Sequence, residues 1–203
     1  DTKVYNVKKK IVQNKNARYN LNFDQDHQVA DFKIGNGTTI SWAEVPVLKG
    51  LRGVISEAFG SSAKDLKCEG NLYTDITRHN GIGRHGDSER RKVIGVRLGN
   101  KMNMHWTWFY NNRPRGYNVS IFLNPGDLYC MTEKTVGTDW TAAPKKQYTL
   151  RHCAGAAKYT TETATIRIVN QRPSEYNKNV FIGDIMFKQK KSKSSPNPQW
   201  VLV

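Results

Sequence analysis

The chain has 203 residues, which is enough for a single domain with a buried core, and we expect one domain over residues 1–203. Its 32 lysines and arginines against 17 aspartates and glutamates give a formal net charge of +15. That excess predicts binding to polyanions, nucleic acid before an anionic membrane surface, although it would also fit a charge that only aids solubility. No apolar run reaches the roughly 20 residues that span a bilayer, which argues against a membrane protein.

The cysteines indicate a reducing environment. Cys68, Cys130 and Cys153 are odd in number and are not paired at the spacing of metal ligands. We therefore expect an intracellular protein, nuclear or cytoplasmic, without a disulfide framework or a structural zinc site. We also expect it to act as a monomer.

The first predicted elements are a basic segment and a helix. Residues 1–20 could form a flexible arm or an early strand, and VYNV at 4–7 is too short to decide. A helix is predicted from Pro46, where a first helical turn tolerates proline, to a stop at Gly60. Its apolar face would consist of Leu48, Leu51, Ile55, Ala58 and Phe59. This helix should pack against a sheet.

The chain beyond about residue 66 is typical of short β-strands. Alternating or apolar segments, divided by turn sequences such as NPG, occur around Ile94–Leu98 and at 104–110, 116–123, 127–131, 148–155 and 163–172. Six or more strands after one helix predict an antiparallel sandwich or barrel. The Lys-, Ser- and Pro-rich end, residues 188–203, is expected to be an exposed and flexible tail.

One short motif could bind a metal. In GIGRHGDSERR, residues 81–91, His85 and Asp87 would point to the same face if the segment is a strand, with Gly86 giving a metal clearance. A second histidine from another strand, His152, would complete a set of two histidines and one carboxylate that suits Fe(II). Taken alone, the pair fits a solvated turn as well.

Four further residues could bind carboxylates near such a metal. Arg167 interrupts the apolar strand TATIRIVNQR, where it could meet an anion inside a pocket or face water. Asn71 and Tyr73 would share one strand face and offer an amide and a phenol. Arg172 follows Arg167 by five residues, so it would face the other way unless a bulge intervenes.

Taken together, these motifs resemble the AlkB-like Fe(II)/2-oxoglutarate dioxygenases over about residues 66–172. The resemblance lies in their order: Asn71 and Tyr73, the HGD motif, the GD of NPGDLYCM, His152, and the strand with Arg167. It implies a double-stranded β-helix, a jelly-roll core with a flanking N-terminal helix. It also implies Fe(II) on His85, Asp87 and His152, with 2-oxoglutarate held by Asn71, Tyr73, Arg167 and Arg172. Two basic residues, Arg90 and Arg91, follow the motif where the family usually has acidic ones.

The implied reaction uses O2 and 2-oxoglutarate to oxidise a C–H bond, releasing succinate and CO2. Together with the positive net charge of the chain, the resemblance predicts removal of N-alkyl groups from bases in DNA or RNA, releasing formaldehyde. Phosphate or base contacts are expected from Arg84, Arg90, Arg91, Trp106, Trp108, Arg113 and Arg115. Alternatives are a TET/JBP-like hydroxylase of 5-methylpyrimidines, a hydroxylase of protein side chains, and a nucleic-acid-binding module without catalysis.

Overall fold

The computed structural model describes residues 1–74, 80–140 and 147–155, together with the backbone of strands at 165–168 and 182–190. This part of the chain is mainly β, as predicted. Its strands are β1 (Lys3–Asn6), β2 (Ile11–Asn14), β3 (Tyr19–Asp24), β4 (Thr39–Ser41), β5 (Lys67–Tyr73), β6 (Gly81–His85), β7 (Arg90–Gly99), β8 (Met102–Tyr110), β9 (Arg113–Leu123), β10 (Leu128–Met131), β11 (Tyr148–Gly155), β12 (Thr165–Ile168) and β13 (Ile182–Lys190). The α-helices are α1 (Pro46–Phe59) and α2 (Glu133–Val136).

The strands form two large sheets and one separate hairpin. One sheet has six strands in the order β10-β7-β13-β5-β3-β4, and the other has five in the order β12-β9-β8-β11-β6. Strands β1 and β2 pair only with each other within the described residues. Between β5 and β13 the chain repeatedly crosses from one sheet to the other, so residues far apart in sequence become neighbours.

A continuous apolar core joins the two large sheets. It contains Tyr73 and Val93 from the six-stranded sheet and Met104, Trp106 and Leu150 from the five-stranded sheet, all buried. Burial of such side chains is the main favourable term in folding, at about 25 cal/mol per Å² of apolar surface. The inner faces of the two sheets are therefore held against each other, and the polar residues among them are enclosed.

Helix α1 covers the outer face of the six-stranded sheet. It has the predicted bounds, beginning at Pro46 and ending before Gly60, whose φ of 63° suits glycine. Ile55 is buried among Cys68, Ile94 and Val96 of the sheet, and Leu48, Leu51 and Phe59 are partly buried there. Ala58, predicted on the apolar face, is exposed instead.

The predicted strands at 104–110, 116–123, 127–131 and 148–155 are confirmed as β8, β9, β10 and β11. The turn between β8 and β9 is tighter than expected, because Asn111 and Asn112 have φ of 53° and 59°, as in a type I′ hairpin, and β9 begins at Arg113. Strands β3, β4 and β13 were not predicted. The exposed tail was predicted to begin at residue 188, but β13 continues to Lys190 between β5 and β7.

No helix in the described ranges is both long and apolar enough to cross a membrane.

The packing of α1 predicts a contrast between two adjacent positions. Replacing Ile55, which is 3% exposed, by alanine should lower the free energy of unfolding by about 2–5 kcal/mol, because it removes buried methyl groups and leaves a cavity. Val54→Ala, at a residue 64% exposed, should change it by less than about 0.5 kcal/mol. Urea denaturation followed by circular dichroism measures both; equal losses would mean that α1 does not pack as described.

Candidate metal centre

Three potential metal ligands converge at one end of the core between the sheets. Nε2 of His85 lies 3.6 Å from Oδ1 of Asp87, and Nε2 of His152 lies 3.9 Å from Oδ2 of Asp87. The ligand atoms of all three residues lie within 4.8 Å of one another. Two atoms bound to one ion at about 2.1 Å can be at most about 4.2 Å apart, so both pairs that include Asp87 are already within range.

The sheet pairing explains why the two histidines meet. His85 is the last residue of β6 and lies directly opposite His152 of β11, and their ring centroids are 4.4 Å apart. Asp87 was predicted to share a strand with His85, but β6 ends before it. Its backbone N–H donates to the carbonyl of Val136 at 3.0 Å, and this bond to the end of α2 holds the carboxylate beside the histidines.

Both imidazoles are arranged to offer nitrogen lone pairs. Nδ1 of His85 lies 2.7 Å from the carbonyl oxygen of Gly83, so the tautomer protonated on Nδ1 leaves Nε2 as an acceptor. Burial, followed by electrostatic repulsion of a second positive charge beside His85 and Arg90, lowers the pKa of His152 to about 3. His152 therefore stays neutral until the pH falls far below 6.5, and the neutral ring is the form that binds metals.

Buried charges surround Asp87. Arg90 is 7% exposed and donates from Nη1 to Asp87 at 3.2 Å and from Nη2 to Glu69 at 3.0 Å. Glu69 is 4% exposed and lies on the inner face of β5. Arg90 therefore links the candidate ligand Asp87 to the neighbouring sheet.

A cation that was not predicted, Arg18, reaches the same place from the other side. Its guanidinium lies 3.3 Å from Glu69 and donates from Nε to Oδ1 of Asn71. The cavity beside the metal ligands is lined by Arg18, Asn71, Tyr73, Ile82, His85, Asp87, Arg90, Val93, Met104, Tyr129, Met131, His152 and Ala154. The basic composition of residues 1–20 was the only sign of this role, and it does not distinguish Arg18 from its lysine neighbours.

Asn71 and Tyr73 lie where they were predicted to lie, and Arg167 lies on a strand of the other large sheet. Asn71 and Tyr73 are 3% and 4% exposed on one face of β5 and line the cavity. Arg167 belongs to β12, which pairs in parallel with β9 at the edge of the five-stranded sheet opposite β6. Arg172 lies outside the described residues.

Gly86 has a different role from the one predicted. A Cβ there would overlap the carbonyl oxygen of Gly137 and would lie 2.6 Å from Cδ1 of Trp140. The glycine therefore allows the HGD loop to pack against the chain that follows α2, instead of giving space to a metal.

Several residues predicted to contact nucleic acid are engaged inside the protein. Trp106 is 8% exposed and donates from Nε1 to the carbonyl of Thr135 at 3.0 Å, so it belongs to the core. Arg90 is buried between Glu69 and Asp87, so its prediction as a phosphate contact is wrong. Arg84 donates to Oγ1 of Thr107 at 3.0 Å, and Arg91 lies 3.1 Å from Glu133.

The remaining predicted contacts form an exposed surface with two tyrosines. Arg115 lies opposite Trp108 and Arg113 opposite Tyr110 across β8 and β9, and Tyr148 of β11 lies opposite Tyr110. Residues opposite each other share a face of the sheet, and Trp106 lies opposite His152. Trp108, two residues further along β8, is 39% exposed, and Tyr148 is 54% exposed. We call Trp108, Tyr110, Arg113, Arg115 and Tyr148 the aromatic platform.

His27, His105 and the cysteines, the other potential ligands of these types among the described residues, do not join the centre. His27 lies 2.8 Å from Glu44 on the surface, and His105 is buried 3.4 Å from Ser120 on the opposite face of β8; His79 lies outside the described residues. Cys68 and Cys153 are buried, Cys130 is exposed, and no disulfide joins them. Burial raises the pKa of Cys153 to about 11, so its thiol is protonated at neutral pH.

Comparison with known proteins relates the chain to a viral protein. It is 40% identical over 148 residues to an uncharacterized protein of Acanthamoeba polyphaga mimivirus. The match covers 73% of this chain and 56% of the relative, so the chain spans about half the length of the protein it matches. No family model matches the chain. These comparisons relate the sequence to a viral protein but carry no information on activity.

The packing of the HGD loop predicts that Gly86 cannot be enlarged. Gly86→Ala should lower the free energy of unfolding by about 1–3 kcal/mol, because the new methyl group overlaps backbone that can move only with α2. In Gly53→Ala, at an open position of α1, the change should instead stabilise by about 0.5–1 kcal/mol. Thermal and urea unfolding of the two variants measure this contrast; a neutral Gly86→Ala would contradict the described contact.

Proposed function

We propose that this protein is an Fe(II)- and 2-oxoglutarate-dependent dioxygenase that removes alkyl groups from nitrogen atoms of bases in DNA or RNA. The observation that carries the proposal is the convergence of His85, Asp87 and His152 beside a partly enclosed cavity. Two histidines and one carboxylate form the ligand set of non-haem Fe(II) oxygenases, which leaves coordination positions open for reactants.

The residues at the centre fit Fe(II) chemically. Both histidines can present a neutral nitrogen, and Asp87 supplies an oxygen. Arg90 donates a hydrogen bond to Asp87, and hydrogen bonds of this kind orient the ligands of metal sites. Fe(II) bound there would supply the activation of O2 for oxidation of a C–H bond. The protein's part is to hold the three ligands, bind the reactants and restrict water from the cavity.

We further propose that the two large sheets form a double-stranded β-helix. Support comes from the path of the chain. Strands β5, β7, β10 and β13 belong to one sheet, and β6, β8, β9 and β11 belong to the other. The chain crosses between facing sheets in the manner of an eight-stranded jelly roll. Such a fold would place the end of β6 and its partner β11 at the mouth of the sandwich.

For the co-substrate, we propose Arg18 in place of Arg167 as the cation that binds the far carboxylate of 2-oxoglutarate. Arg18 contacts Asn71, and both line the same cavity as Tyr73 and the candidate ligands. A guanidinium, an amide and a phenol offer several donors to one carboxylate.

A nucleic-acid substrate is supported by the surface beside the centre. The aromatic platform shares a sheet face with His152, and its two arginines are exposed. Aromatic rings can stack on bases at about 1–3 kcal/mol per base, and arginines can contact phosphates. A base in a duplex would have to leave the stack to reach the cavity. Hydroxylation of 5-methylpyrimidines is the second candidate, because it needs the same centre and the same surface.

The proposal predicts turnover that depends on three residues. With Fe(II), 2-oxoglutarate and O2, the protein should release succinate and remove the methyl mass from oligonucleotides that carry N-methylated bases, read as nucleosides by mass spectrometry. His85→Ala, Asp87→Ala and His152→Ala should each reduce turnover at least about 100-fold, the upper range for loss of a supporting metal contact. His27→Ala, which changes a surface histidine paired with Glu44, should retain full activity.

Each outcome of this assay has a defined meaning. A gain of one oxygen on C5-methyl bases, without loss of N-methyl groups, would replace the demethylase by the second candidate. Succinate release without any change in a base would remove the nucleic-acid substrate from the proposal. If no succinate appears and folded His85→Ala binds Fe(II) as the unaltered protein does, the oxygenase proposal is wrong, and a binding module without catalysis is favoured.

The assignment of Arg18 predicts a change in the use of 2-oxoglutarate. Arg18→Ala should raise the KM for 2-oxoglutarate about 10- to 100-fold, since a hydrogen bond to a charged group contributes about 1.5–3 kcal/mol. Arg18→Lys keeps a cation beside Glu69 and should recover part of the loss. Arg167→Ala is the matched comparison, and KM is measured from succinate release. A large effect of Arg167→Ala with none of Arg18→Ala would reverse the assignment.

A further inference from the structure

We infer that the hairpin of β1 and β2 is a separate binding arm for the phosphate backbone of nucleic acid. The turn that joins the strands consists of Val7, Lys8, Lys9 and Lys10, all exposed. Lys3 and Lys15 lie at the base of the hairpin. From Thr2 to Phe23 the chain contains six lysines and arginines and no acidic residue. This is the densest positive segment among the described residues outside the candidate centre.

The hairpin lies beside the short 3-10 helix Phe32–Ile34, and much of its surface meets solvent. Both faces meet solvent, because Val4 and Val12 are each 38% exposed and Ile11 is 50% exposed. An isolated two-stranded hairpin is only marginally stable in water. Here the shape is held by side chains near the turn: Asn6 donates to Gln13 at 3.1 Å and accepts from the N–H of Lys9 at 3.0 Å.

Hydrogen bonds fix the base of the hairpin, and its turn is exposed. The N-terminal amine of Asp1 donates to the carbonyl of Asn20 at 2.8 Å, and the Asp1 carboxylate accepts from Thr38. The amide of Lys15 donates to the carbonyl of Thr2 at 2.8 Å. A ribbon anchored at one end and basic at the other suits an extended anion, whose charges recur along its length, better than a small ligand that needs an enclosing pocket.

Nucleic acid fits this ribbon better than an anionic membrane does. Elements that bind membrane surfaces combine basic residues with Trp, Phe or Leu, and the hairpin has none of these. The ribbon also continues directly towards the candidate centre: β2 ends at Asn14, and Arg18 lines the cavity four residues later. Lys10, the last residue of the turn, precedes Arg18 by eight residues, which span at most about 28 Å, so a strand held by the turn would lie within reach of the cavity.

This inference rests on the proposed nucleic-acid substrate, but it can be tested without turnover. Binding to a fluorescent 20-base-pair duplex and to its single strand is measured by anisotropy from 50 to 200 mM KCl, without iron or 2-oxoglutarate. The variant Lys8→Gln/Lys9→Gln/Lys10→Gln should lower the slope of log K against log salt by about 2.7 on the duplex and about 2.1 on the single strand. Those values follow from 0.9 and 0.7 per lost phosphate contact.

Two variants separate position and charge from damage to the fold. Lys49→Gln/Lys64→Gln/Lys101→Gln removes the same charge at exposed positions elsewhere and should leave the slope within about 0.5 of the unaltered protein. Lys8→Arg/Lys9→Arg/Lys10→Arg keeps the cations and should restore the full slope. Contacts with phosphates carry no base information, so the loss should be the same for duplexes of different sequence.

The inference is overturned if the two glutamine variants lose slope equally, because binding would then reflect total charge. It is also overturned if the hairpin variant binds nucleic acid normally but no longer binds vesicles of phosphatidylserine and phosphatidylcholine, a result that would assign the hairpin to a membrane. Loss of binding in the hairpin variant, together with normal turnover of free methylated nucleosides, would support the arm and leave the proposed chemistry unaffected. If the unaltered protein shows the expected binding of nucleic acid but no turnover, that result would contradict the proposed function and not the binding arm.

Discussion

The buried carboxylate of Glu69 places the strongest constraint on this fold. It lies on the inner face of β5 at 4% exposure, where a charge without partners is expensive. Arg90 reaches it at 3.0 Å from β7, and Arg18 at 3.3 Å from the segment before β3. Removing one partner of a buried pair costs about 3–5 kcal/mol. Arg90 also donates to Asp87. The ion pair that neutralises Glu69 and links β7 to β5 therefore also positions a candidate metal ligand.

Local sequence patterns were enough to predict the helix and most strands, because they depend on neighbours along the chain. The helix α1 follows from the spacing of Leu48, Leu51 and Ile55 after Pro46, and β8 and β11 follow from apolar segments bounded by turns. Contacts between residues that are far apart in the sequence leave no such local pattern. Arg18 meets Asn71, 53 residues away, and nothing local distinguishes it from other cations of the N-terminal segment. The place of β12 at a sheet edge was equally hidden.

The same limit explains the errors in the predicted nucleic-acid contacts. Trp106 and Trp108 lie on the same face of β8. Trp106 is covered by the facing sheet and belongs to the core, whereas Trp108 lies beyond the end of the core and is exposed. Arg90 and Arg91 are adjacent in sequence, but successive side chains of β7 point to opposite faces, so Arg90 pairs with Glu69 and Arg91 with Glu133. Charge composition therefore overstates the positive surface near the centre. Of the predicted contacts, the exposed arginines lie on the aromatic platform, and the β1–β2 hairpin carries further exposed cations.

The donor set of the candidate centre argues for a reactive site over a structural one. Cys153 follows His152, but successive residues of a strand point to opposite faces, and its buried thiol remains protonated. Among the described residues, Cys153 therefore adds no thiolate to an ion held by His85, Asp87 and His152. Structural zinc sites complete four protein ligands, whereas three ligands leave positions for exchangeable reactants. The three residues are fixed by strand pairing and by the loop at Gly86, so an ion there would meet a preformed set of three ligands from the described part of the chain, as the proposed oxidation of a bound substrate requires.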